Sequence, residues 1–266
     1  MRYASRLTTL LLLWAVASSA QAQSYVLERL DNSPRQQEWV TVQAGDRQVD
    51  AFVVFPEGAE KALSVVVIHE NWGLSDWVRG VADRLAEAGY IAIAPDLLSG
   101  AGPDGGNTQS FASEDDVSLG ISRLDPAVVT NDLAAVTAYM RAMPAANGKV
   151  AVAGFGWGGE QALRFATNQS DIKAAMVFYG GPPAEGFERI QAPVYGFYGG
   201  DDPRINATIP TTATAMRNAG KMYQPMLYPD SGHGFMRDGQ DPAGTDPNKR
   251  AFEQAWQRWL KILAGL

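Results

Sequence analysis

The chain has 266 residues, 46% of them hydrophobic and 19% charged, with a net charge of −7, two His and no Cys. This composition excludes a disordered chain or a repeat array and suffices for a substantial core in one domain, or at most two. Without Cys there is no disulfide, thiolate metal site, lipoprotein anchor or thiol nucleophile, and two His argue against an all-protein zinc cage.

Taken in chain order, residues 1–22 read as a secretory signal. Arg2 and Arg6 precede a Leu-rich run from Leu7 to about Ser18 that ends in Ala20-Gln21-Ala22. Its strongly apolar part is about 12 residues, short of the ~20 that span a bilayer, which favours cleavage after Ala22 over a retained anchor. The expected mature protein is a single domain, 23–266, periplasmic or secreted, with no stable membrane insertion. Cleavage removes two cations and takes the net charge to −9. Such a surface repels nucleic acid and anionic lipid, so the expected partner is a small molecule.

From Glu38 onward, strands alternate with helices. Two short alternating runs, Glu38 to Gln43 and Val49 to Phe55, flank Ala44-Gly45-Asp46 and predict a leading β-hairpin. Leu63 to His69 is continuously apolar, as a strand buried on both faces must be. A helix over Ser75–Ala88 and a strand over Tyr90–Ala94 follow. Helices are then expected at Pro126–Met143, Trp157–Ala166, Ile209–Asn218 and Pro247–Leu263. Strands are expected at Lys149–Ala153, Lys173–Tyr179, Val194–Tyr198 and Tyr223–Tyr228. Repeated βα units predict a mostly parallel central sheet with helices on both faces and a site at the carboxyl ends of its strands. The hairpin and the spread of connection lengths argue against a (β/α)8 barrel. Residues 99–124 show no sustained period and carry five glycines; they read as a flexible loop, either a surface insertion or a flap.

After the strand at Lys149–Ala153 comes Gly154-Phe155-Gly156-Trp157-Gly158-Gly159, then a helix. Two mechanisms use a strand, glycine turn and helix. Gly154, Gly156 and Gly159 satisfy a dinucleotide fingerprint, but the next strand ends in Phe178-Tyr179-Gly180-Gly181 and lacks the acidic residue that grips a ribose. Dinucleotide binding remains the minor alternative. The other mechanism is a nucleophile elbow, with Gly154 and Gly158 as the flanking glycines. The nucleophile position is then Gly156, which has no side chain.

An acid and a base follow in the order such a fold requires, each just past a strand. The first loop is Gly199-Gly200-Asp201-Asp202 and the second Ser231-Gly232-His233-Gly234-Phe235. Together with the segment Val66-Val67-Ile68-His69-Glu70-Asn71-Trp72-Gly73, these motifs resemble the dienelactone hydrolase family of the α/β-hydrolase fold. The resemblance runs from about Val66 to the C-terminal helix. It implies a hydrolase of esters or lactones, of the carboxymethylenebutenolidase type, with no cofactor and no metal. It assigns the triad base to His233, the acid to Asp202 with Asp201 the weaker choice, and a carboxylate beside the nucleophile to Glu70. Gly156 stands where the family has Cys. The backbone N–H groups of Asn71 and Trp157 would form the oxyanion hole. Arg237 matches an arginine that binds a substrate carboxylate, and Arg123 stands in for a second that no motif locates.

The remaining readings come from the residues themselves. Trp72, Trp157 and Phe235 either line an apolar pocket, with Trp72 against the substrate, or are ordinary core. His69 points to the opposite strand face from Glu70 and reads as structural. Ser231, two residues before His233, reads as a turn former.

A glycine at the elbow relieves backbone strain on the order of 1–3 kcal/mol and forfeits acyl-enzyme chemistry. Two functions stay open. In the first, His233 held by Asp202 activates a water lodged in the vacated space. In the second, the chain is a catalytically inactive binding protein for a small carboxylate ligand.

Overall fold

The computed structural model describes residues 25–58 and 61–266. The expected signal segment lies outside them. Eight strands form one sheet: β1 (Gln37–Ala44), β2 (Arg47–Val54), β3 (Ala62–Ile68), β4 (Ile91–Pro95), β5 (Ala146–Phe155), β6 (Ala175–Phe178), β7 (Val194–Gly199) and β8 (Tyr223–Tyr228). Their order is β1-β2-β4-β3-β5-β6-β7-β8. The hairpin β1–β2 and the β2–β4 pair are antiparallel, and every pairing from β4 to β8 is parallel. This is the mostly parallel sheet that the alternation of elements predicts, in the α/β-hydrolase arrangement that the resemblance implies.

Strand alternation splits the core in two. Val65 and Val67 of β3 face one cluster, Val66 and Ile68 the other. The first cluster is covered by α1 (25–31), α2 (Asp76–Glu87) and α9 (Asp246–Ala264), with Trp259 fully buried. The second is covered by α4 (Pro126–Ala142), α5 (Trp157–Ala166) and α7 (Ile209–Asn218). Two short helices, α6 (Pro203–Asn206) and α8 (Phe235–Asp238), follow β7 and β8. An aromatic ladder, Phe155 on Phe178 at 4.7 Å and Phe178 on Phe197 at 4.3 Å, ties β5, β6 and β7 together beneath the strand ends. The N-terminal segment is fastened by the buried Asp83 of α2, which accepts two 2.9 Å bonds from Arg35 and pairs with Arg29 at 2.8 Å.

The segment 99–124 differs from its expectation. It contains a helix, α3 (Glu114–Ser122), capped by Ser113, whose side chain accepts from the Asp116 N–H. Val117 and Ile121 pack on Leu98, with Phe111 and Trp157 against them. Gly120 sits where a Cβ would meet the Phe111 ring at 2.8 Å, so a residue that looks like a helix breaker is instead what admits the aromatic. Upstream, the buried Asp96 holds Thr108 through its N–H at 3.0 Å and its hydroxyl at 2.8 Å. The sequence signals are Ser113 with Asp116 as a cap and Val117 with Ile121 at i,i+4, too few apolar positions to read as a period.

Candidate functional site

Five strand ends converge on one cleft. Glu70 follows β3, Gly156 follows β5, Tyr179 follows β6, Asp202 follows β7 and His233 follows β8. The cleft measures about 390 Å³ and is lined by Glu70, Trp72, Gly156, Trp157, Tyr179 and His233, with Glu160, Arg204 and Arg237 at its sides.

Gly156 joins β5 to α5 at φ 53°, ψ −113°, a backbone state sparsely populated by residues with a Cβ. The flanking glycines are steric requirements. A Cβ on Gly154 would collide with the Gly158 carbonyl, and one on Gly158 with the carbonyls of Ile68 and His69. At Gly156 itself there is room: a Cβ there would lie 3.8 Å from His233 Nε2 and 3.9 Å from the Tyr179 ring. The turn therefore keeps the shape of a nucleophile elbow and aims an absent side chain at the imidazole. The glycines serve strand–helix packing, as a nucleophile elbow requires.

His233 Nδ1 contacts Asp202 Oδ2 at 2.5 Å. Asp202 is buried, and its other oxygen accepts from the Ile205 N–H at 3.3 Å, so one carboxylate both caps α6 and orients the imidazole. Asp201 is exposed and takes no part. With Nδ1 committed to Asp202, Nε2 is left to face the elbow, the arrangement of a general base.

Glu70 is also buried, and its Oε2 accepts from Arg237 Nη1 at 2.6 Å. Burial pushes its carboxyl above the usual range while Arg237 pulls it back. Arg237 lies over the Trp72 ring at 4.0 Å from its centroid and also meets Asp238 at 3.0 Å. Tyr179 is fully buried at φ 42°, with its hydroxyl against the Glu70 carboxylate. Burial and the Glu70 carboxylate push its ionisation well above the usual phenol value, so it stays a proton-bearing donor.

The Trp157 N–H opens α5 and has no partner within the helix, and the helix dipole there favours negative charge. Asn71 is exposed beside it in the turn after Glu70, its side chain reaching Ser118 of α3 at 3.3 Å. Segment 99–124 thus borders the cleft.

The remaining sequence readings separate. His69 is fully buried: Nε2 accepts from the Leu97 N–H at 3.3 Å, so Nδ1 carries the proton that it donates to the Glu70 carbonyl at 2.7 Å. Its ring stacks on Trp157 at 5.4 Å. Ser231 is buried in the turn, donating to the Tyr228 carbonyl at 2.8 Å. Trp72 and Trp157 line the cleft, whereas Phe235 is core. Arg123 is exposed and lines a different depression beside Phe111 and Leu119; the second arginine on the cleft is Arg204, two residues after the acid. Arg204 and Tyr179 escape a sequence reading because no motif marks them, and only the convergence of β6 and β7 on the elbow brings them in. Among the described residues no His, Asp and Glu side chains cluster to hold a metal, and no helix is long and apolar enough to cross a membrane.

A model of the dienelactone hydrolase family matches residues 49–265. A protein of Saccharolobus solfataricus named as a carboxymethylenebutenolidase is 29% identical over 247 residues, 81% of this chain and 93% of the relative. A protein of the same name from Escherichia coli is 29% identical over 81% of this chain and 83% of its own. Among solved structures, a dienelactone hydrolase from Klebsiella pneumoniae superposes with a TM-score of 0.77 at 25% identity, covering 87% of this chain and 99% of that one. A dienelactone hydrolase-like promiscuous phosphotriesterase from metagenomic libraries gives 0.73 at 26% identity, with 87% and 98% covered.

Proposed function

Because the chain belongs to the dienelactone hydrolase family, we propose that it hydrolyses carboxylic esters or lactones by a water that occupies the space above Gly156. One observation carries this reading. The Cβ direction at Gly156 points at His233 Nε2 from 3.8 Å, so a water in the place of a side-chain nucleophile meets the base that would have served it.

His233 Nε2 takes a proton from that water while Asp202 holds the imidazolium through Nδ1–H. The hydroxide adds to the carbonyl carbon, and the oxyanion is met by the N–H groups of Asn71 and Trp157 at the mouth of α5. Collapse breaks the C–O bond of the leaving alcohol, which takes the proton back from His233. Ester and water become acid and alcohol, and the enzyme returns unchanged. The Tyr179 ring bounds the space above Gly156 at 3.9 Å, and Glu70, drawn onto Arg237, keeps the charge of the cleft fixed. In serine proteases, the oxyanion hole and binding alone retain roughly 10³–10⁴ over the uncatalysed rate when the nucleophile is lost, which sets the scale of activity expected here.

The test is hydrolysis of a panel of esters and lactones by the purified protein and by His233→Ala. Turnover that is unchanged by the substitution would sink the reading. The missing side chain favours a second reading, an inactive protein that holds a small carboxylate ligand; saturable binding with no turnover across the panel would select it. Export to the periplasm or medium rests on Arg2, Arg6 and the apolar run before Ala20-Gln21-Ala22. N-terminal sequencing of the exported protein should begin at Gln23.

A further inference from the structure

A second cavity of about 320 Å³ lies beside the cleft, lined by Tyr25 and Val26 of α1, Trp72, Ser75, Trp77 and Arg237 among others. It shares only Trp72 and Arg237 with the cleft. That pair, with the guanidinium 4.0 Å from the ring centroid, is a wall common to both spaces. The family model begins at residue 49, so the wall supplied by α1 comes from residues that precede it. The helix is nonetheless fastened. Arg29 pairs with Asp83 and Glu87, each at 2.8 Å, and Arg84 donates to the Tyr25 hydroxyl at 2.5 Å.

The rings of Tyr25, Trp72 and Trp77 and the side chain of Val26 make the lining mostly apolar. The charges at its edge already have partners or face water. Asp76 pairs with Arg79, Asp241 accepts from the Ala243 N–H at 2.8 Å, and Glu114 is exposed in the first turn of α3. Arg237 lies between Glu70 and Asp238. On the neighbouring elements, Arg84 holds Tyr25 and Lys249 holds the Pro242 carbonyl at 2.9 Å. No buried charge there lacks a partner, which leaves the apolar surface as the source of affinity. Trp77 is 8% exposed, and its indole N–H has no acceptor among the described residues. A ligand with one uncharged acceptor atom would satisfy it. The volume is about twice the ~150 Å³ that admits benzene in a dry apolar cavity, room for a ring with a short chain.

We propose that this cavity binds an uncharged apolar group, an aryl ring or alkyl chain with a single acceptor atom, against the Arg237–Trp72 wall of the cleft. The group is the far end of the ester or a separate small molecule of the same chemistry. Binding there does not depend on turnover.

The probe is 4-phenylbutan-1-ol, titrated while Trp emission is read, because two of the seven tryptophans line the cavity. Saturable binding is expected. Ser75→Phe puts a ring into the cavity from a helix N-cap whose side chain makes no capping bond, and should weaken binding at least about ten-fold. Tyr25→Ala, which removes part of the α1 wall, should weaken it as well, with the denaturant midpoint of each variant showing that the fold is kept. Absence of saturable binding, or equal binding by the wild type and both variants, overturns the inference. So does 4-phenylbutanoate bound as tightly as the alcohol and as sensitive to Ser75→Phe.

The source of the group is read from kcat/KM for 4-nitrophenyl 4-phenylbutanoate relative to 4-nitrophenyl butyrate. A ratio that falls about ten-fold in Ser75→Phe assigns the cavity to the substrate. A ratio that holds while alcohol binding is lost assigns it to a separate molecule. If neither ester turns over, the hydrolase reading fails alone, and the alcohol titration still decides the site.

Discussion

The chain's two histidines lie at the ends of parallel strands, and they do opposite things. His69 has both nitrogens engaged by backbone, Leu97 N–H on one and the Glu70 carbonyl on the other, and its ring is stacked on Trp157. His233 has one nitrogen on a carboxylate and the other facing the elbow, with its side chain 40% exposed. A ring with both sites satisfied in a dry interior can only resist protonation. A ring with one site fixed and one site open toward a cleft can move a proton. The same residue type becomes a packing element or a base according to what occupies its second nitrogen.

The largest expected effect comes from giving His233 the partner it faces. Gly156→Cys should raise ester turnover by about 10⁵–10⁶-fold, since the nucleophile is the part of such a site whose loss is costliest. The same substitution places a Cβ at φ 53° and should lower stability by about 1–3 kcal/mol, read as a shift in denaturant midpoint. If turnover does not rise, Nε2 is not poised and the contrast between the histidines fails. Asp202→Asn should come next, cutting turnover in the Gly156→Cys background by about 10³–10⁴-fold, because the amide favours the wrong imidazole tautomer. Its effect on the midpoint should be small beside that, as Asn can still cap α6.

Smaller again is Glu70→Gln, which leaves Arg237 with Asp238 alone. Loss of that charge-assisted bond should cost about 1–3 kcal/mol of stability. The smallest effect belongs to His69. Burial lowers its pKa from 6.5, so the unfolded chain takes up a proton there that the folded one refuses. Stability is then full above pH 6.5 and falls as pH drops below it. His69→Asn should flatten that part of the stability curve, by up to about 1.4 kcal/mol per pH unit. It should leave the pH profile of hydrolysis in place, and a shifted profile would show that His69 is coupled to the chemistry.

Much of the fold was legible because it is written in short-range periodicity. The continuous apolar run ending at Ile68 can only be a strand covered on both sides, and the glycines from 154 to 159 can only be a strand–helix turn of close approach. The helix at Glu114–Ser122 was not legible, since two buried residues and an internal glycine make no pattern until Phe111 lies against it. In the site, the order of Gly156, Asp202 and His233 along the chain already matched a triad, because that order is fixed by the sequence of strands in the sheet. Arg123 could not be sorted from Arg204 in the same way. Which arginine reaches the cleft depends on the strand that delivers it.

The sequence alone therefore determined the strand–helix alternation, the place of the elbow and the absence of any side chain on it, because these depend on residue type and neighbours a few positions away. Only the tertiary structure decided that Glu70 is held by Arg237, that Tyr179 and Arg204 face the same space, and that the direction left empty at Gly156 points to His233. Those are distances between residues from different strand ends, and they exist only once the sheet has set β3, β5, β6, β7 and β8 side by side.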